Sequence, residues 1–110
     1  MAATRVECTL AGFERNWIDV SEQWTQRESV EMLAAADESF YALLRRKTVA
    51  CHIELVTGAV VETPADLDAN TMLDADVAVI GWLGAVMPIA VARRRTLGNA
   101  FARLSSNGKG

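Results

Sequence analysis

The sequence predicts a mostly helical α+β domain: a short N-terminal β-hairpin followed by about four helices, the last of them long and kinked at Pro88. Three observations lead to it. Polar and apolar residues alternate with period two near the N-terminus, the signature of a half-buried strand. Thr25 and Glu28 then stand at capping-box spacing ahead of a helical apolar pattern. The longest apolar run, residues 77–92, ends in Arg93, Arg94 and Arg95.

With 110 residues, the chain has material for one core and too little for two. Residues 1–104 are expected to form one domain, and the small polar residues 105–110 a flexible tail. Apolar residues make up 51% of the chain and charged residues 23%, which argues against wholesale disorder and against a fibrous class.

Arg5-Val6-Glu7-Cys8-Thr9-Leu10 alternates, Ala11-Gly12 breaks the run, and Asn16-Trp17-Ile18-Asp19-Val20 alternates again, which predicts the hairpin. Val30, Leu33 and Ala34 follow the Thr25 cap at helical spacing, so a first helix is expected over residues 26–36. Asp37 can cap a second, with Phe40, Leu43 and Leu44 on its apolar stripe and Arg45, Arg46 and Lys47 where the macrodipole favours positive charge.

Beyond Lys47 two patterns fit. Val49, Cys51, Ile53 and Leu55 alternate like a strand, whereas Leu44, Thr48, Cys51 and Leu55 line one face of a continuing helix, and the expectation adopted is the helix. Thr57-Gly58 marks a turn under either pattern. Thr63-Pro64-Ala65-Asp66 opens a short helix to about residue 70. The dominant helix then begins after Asp76 and continues to about Leu104; Pro88 removes a backbone donor inside it and should bend it.

Enzyme signatures are missing where they would be visible. His52 is the single histidine, and with Cys8 and Cys51 it makes too small a donor set for a tetrahedral metal site. Nucleophile-elbow, phosphate-loop and zincin motifs do not occur. No catalytic residue, cofactor or metal is expected. The two distant cysteines read as buried free thiols in a reducing compartment.

Charge is segregated along the chain. Residues 1–76 hold six bases against fourteen acids, a balance of −8, while residues 77–110 hold five bases and no acid, a balance of +5. Five bases without interleaved aromatics are a poor nucleic-acid surface. The acidic end of one copy complements the basic end of the next, so head-to-tail self-association is expected.

Residues 77–92 carry the functional content, and three readings compete. Val79, Trp82, Leu83, Val86 and Ala90 recur at spacings of three and four, as on a core helix. A membrane span is the second reading, but sixteen residues rise only about 24 Å against about 30 Å of hydrocarbon. Third, Gly81, Gly84, Ala85 and Met87 suit close approach by an apolar partner helix. The sites expected to face that partner are Val79, Trp82, Leu83, Val86 and Met87, with Arg93, Arg94 and Arg95 as charge contacts.

Across most of its length the chain resembles the tail assembly chaperones of long-tailed (siphovirus-type) bacteriophages. The resemblance rests on segments 6–10 and 16–20, the Trp24-Thr25-Gln26-Arg27-Glu28 entry, residues 44–55 ending at Thr57-Gly58, the start at Pro64, and Gly81-Trp82-Leu83-Gly84. It implies a non-enzymatic protein of the host cytoplasm, absent from the mature virion. Such a protein binds the hydrophobic tape measure protein, keeps it soluble, forms homo-oligomers and supports polymerisation of the tail tube protein. The resemblance further implies a longer product made by ribosomal frameshifting, for which Gly108-Lys109-Gly110 is placed as a linker. Alternatives of other classes are a holin-like single-span membrane protein and a virion structural or connector protein.

Overall fold

The alternating segments pair into a sheet because each strand turns one set of side chains inward and leaves the other in water. In a computed structural model, which describes the backbone of residues 2–108 and the side chains of residues 2–94, four antiparallel strands lie in the order β1-β2-β3-β4. They are β1 (Ala3–Glu7), β2 (Trp17–Ser21), β3 (Thr48–Glu54) and β4 (Val60–Val61). Three α-helices, α1 (Gln26–Ala34), α2 (Asp37–Lys47) and α3 (Val77–Gly108), and two 3₁₀ segments (Pro64–Asp66 and Thr71–Asp74) complete the fold. Val6, Ile18, Val20, Cys51 and Ile53 point from the sheet into a core that also takes Leu43 and Leu44 from α2 and one stripe of α3.

This architecture overturns the expectation of a hairpin followed by about four helices. The chain is an α+β domain with a four-stranded antiparallel sheet and three helices. Residues 48–54 are strand β3 because β2 offers a second edge of backbone donors and acceptors, and Trp17, Ile18 and Asp19 pair with His52, Cys51 and Ala50. A register shift between Asp19 and Val20 sets Val49 out of the ladder, so that Thr48 and Cys51 both face inward. The helix expected at Pro64 stops after a single 3₁₀ turn. Gly58, at φ +93°, makes the turn that joins β3 to β4. The helix expected to give way at residue 104 is continuous from Val77 through Pro88 to Gly108, so the segment taken as a flexible tail is helical as far as Gly108; Lys109 and Gly110 lie outside the described residues.

Two polar clasps fix this arrangement. Asn16 is buried: its Nδ2 donates to Phe13 O, and its Oδ1 accepts from Glu54 N at 2.7 Å, joining the β1–β2 loop to the end of β3. At the opposite end of the helical layer, Thr25 and Glu28 form a capping box at the start of α1. Lys47, the last residue of α2, reaches Glu28 at 3.0 Å, donates to Gln23 O and lies over the Trp24 ring. Lys47 and Glu28 are 8% and 17% exposed, so removing either partner strands the other away from water.

Burial raises the Glu28 carboxyl, but bonds from the Thr25 backbone N–H, from Lys47 and from the Thr25 hydroxyl outweigh it and hold the group below its ordinary value. A depressed carboxylate contributes stability above its unfolded pKa and loses it as pH falls through the folded one. The melting temperature of the wild type is therefore expected to fall as pH drops below about 4.5. Glu28→Gln should unfold at lower temperature at neutral pH and lose less on acidification.

Candidate protein-binding groove

The first sixteen residues of helix α3 are apolar on nearly all sides, yet the sheet can cover only one face of them. Val79, Leu83, Val86 and Met87 are fully buried and Trp82 is 8% exposed; Ala90 and Val91 continue the same stripe. The five residues expected to face a partner are therefore turned inward onto the sheet. Spacing alone could not separate the two cases, because a core stripe and a docking stripe have the same period. Arg93 and Arg94 are exposed, and the side chain of Arg95 lies outside the described residues.

The surface available to a partner is the neighbouring face of the same helix. A groove of about 520 Å³ runs between β1 and α3. Val6, Thr9 and Leu10 form one wall, Ala78, Gly81, Ala85 and Ile89 the other, and Trp82 contributes to the lining between them. Its charged rim consists of Glu7 and Arg93. A Cβ built on Gly81 meets nothing within 4 Å, so the helix wall is open there.

Strand β1 is the edge of the sheet on this side. Ala2 O accepts from Glu22 N and Cys8 N donates to Asn16 O, so the even-numbered positions pair with β2 and the backbone groups of Ala3, Arg5 and Glu7 face the open edge. Arg93 closes part of it by donating to Arg5 O at 3.2 Å. Beside the groove, the buried Trp82 indole Nε1 has no acceptor among the described residues. Leaving such a donor unpaired costs about 1–3 kcal/mol.

The remaining candidate chemistry is dispersed. On the outer face of the sheet His52 stacks on Trp17 with ring centroids 6.4 Å apart, and Arg5 lies 3.8 Å above the Trp17 ring while pairing with Asp19. Glu62 and Glu54 lie 3.6 and 3.9 Å from the two His52 nitrogens. Among the described residues no three His, Cys, Asp or Glu side chains converge as metal ligands. Cys8 and Cys51 are buried free thiols; burial, with Asp66 and Glu62 adding to it, pushes Cys51 up to about 11. Such a thiol is a poor nucleophile at neutral pH.

Comparison with protein-family models gives no match, and neither curated proteins nor solved structures yield one.

Separate roles for the two faces of α3 give opposite expectations for substitution. Leu83→Ala empties a fully buried site and should cost about 2–5 kcal/mol in urea denaturation. Gly81→Ala, on the open face, should raise stability by about 0.5–1 kcal/mol through helix propensity.

Proposed function

We propose that this protein is a non-enzymatic tail assembly chaperone that captures apolar helical segments of a tape measure protein in the groove between β1 and α3. The observation that carries the reading is the groove itself: an apolar trough following about 22 Å of helix between Ala78 and Arg93. Its helix wall presents Ala78, Gly81 and Ala85, whose small side chains admit a second helix at close range. Ile89 and Leu10 supply apolar contact at the sides. A mostly helical client that exposes apolar faces along its length offers many such segments, and many copies of a small domain would keep it in solution. The segment resemblance described above points the same way. In this reading the client contacts move from the buried stripe to its exposed neighbour, while Arg93 stays at the rim.

A second reading keeps one observation in its favour. Val77–Arg94 is long and apolar enough to cross a membrane, with mean hydropathy 1.5, and 39% of that window is buried in the fold. Insertion would withdraw Val79, Leu83 and Val86 from the sheet and expose Ile18, Val20 and Ile53, all fully buried. That loss favours the chaperone reading.

Co-expression with the large tape measure gene tests the proposal. The wild type should bring the client into the soluble fraction and co-purify with it. Gly81→Leu, which fills the groove without touching the core, should fold at least as well and recover at least tenfold less client. Equal recovery by the two proteins would overturn the groove as the client site. The membrane reading predicts instead that the chain sediments with membranes and leaves them only in detergent.

A further inference from the structure

Strand β1 ends the sheet, and its free side opens onto the groove. The even-numbered positions of β1 give their backbone groups to β2, so the N–H and C=O groups of Ala3, Arg5 and Glu7 point away from the ladder. An edge of this kind is a template for one more strand. Arg93 shows that this one accepts a donor: its guanidinium donates to Arg5 O at 3.2 Å, where the backbone N–H of a neighbouring strand would stand. A helical occupant cannot use these groups, because its own backbone is satisfied internally.

We propose that the groove takes a second kind of partner: an extended segment of another protein that adds to β1 as a fifth strand, with alternate apolar side chains turned to α3 and a carboxylate for Arg93. The inference goes beyond the capture of helical segments and uses the part of the groove that a helix leaves idle. Spacing supports it. A strand added beside β1 lies about 4.8 Å from it, in the space bounded by Val6 and Leu10 on one side and Ala78, Gly81 and Ala85 on the other. Period two turns every other side chain of such a strand toward the helix, where small residues and the open space at Gly81 leave room for branched apolar groups. Length agrees, since seven extended residues span about 23 Å, against about 22 Å of helix wall from Ala78 to Arg93. Charge agrees as well. From residue 77 onward the chain carries five bases and no acid, so the helix side of the groove attracts a negative group, and Arg93 stands on its rim. Glu7, also on the rim, belongs to the strand wall. When a strand N–H takes over Arg5 O, the displaced Arg93 guanidinium pairs with the carboxylate of the incoming segment.

A synthetic peptide, Glu-Val-Thr-Val-Thr-Val-Glu with blocked ends, titrated into the full-length protein, tests the contact. Binding should slow amide hydrogen exchange at Arg5 and Glu7 by at least about tenfold, because their N–H groups pass from water to a strand partner. Two N-methylated forms probe the peptide backbone. With Val turned to α3, an antiparallel strand directs its Thr N–H groups to β1 and a parallel strand its Val N–H groups. Methylation of one of these sets should weaken binding by at least about tenfold, and methylation of the other should leave it unchanged. Replacing both Glu residues of the peptide by Gln should weaken binding to the wild type by about two- to fivefold and make no difference to Arg93→Gln. The strand is overturned by a peptide that does not bind, by unchanged exchange at Arg5 and Glu7 in the bound protein, or by loss of binding with both methylated forms or with neither. Equal binding of the Glu and Gln peptides by the wild type overturns the carboxylate contact. Co-expression with the tape measure gene is a separate readout: if the peptide fails and the client is still recovered, the added strand falls and the client groove stands.

Discussion

Everything in this fold follows from the burial of one stripe of α3 on the sheet. Val79, Leu83, Val86 and Met87 are fully enclosed, and each such side chain contributes about 1.5–3 kcal/mol relative to exposure. A helix has one face to give to a sheet, so the stripe that stabilises the domain is withdrawn from every other use. The groove exists because the adjacent face, with Gly81 and Ala85, stays outside while β1 ends the sheet beside it.

The sheet in turn depends on polar clasps at its margins. Asn16 joins the hairpin loop to the end of β3, and Lys47 with Glu28 ties the close of α2 to the opening of α1. These contacts are few, but they are shielded, and a shielded pair is costly to break from one side. Arg93 has a different place. It donates to the open edge of β1 and forms part of the groove rim, so the basic end of the chain begins at the site itself.

Several elements were legible in the residues. Alternation at 5–10 and 16–20 marked β1 and β2, Thr25 with Glu28 marked the start of α1, and Thr57-Gly58 marked the turn into β4. Each is a local signal, decided by neighbours within four positions. Strand β3 was not legible in this way, because residues 48–55 satisfy a helical and an alternating pattern at once. The choice fell to β2, some thirty residues away, whose second edge supplied the hydrogen bonds. The site was half legible: Trp82 belongs to the apolar helix the sequence singled out, and it lines the groove. Which face of that helix points outward was set by the sheet, and the alternation that includes Val6, Thr9 and Leu10 marks a strand without marking them as the opposite wall of a groove.

By itself the sequence determined the segregation of charge, the spacing of the apolar stripe and the capped start of α1, because these depend on composition and on residues close in the chain. Only the tertiary structure decided that residues 48–54 are a strand, that the stripe on α3 is core and that its exposed neighbour forms a groove with β1. Those outcomes depend on which surfaces meet across long separations, and the free energy of such meetings is a property of the assembled sheet and helix, not of any one segment.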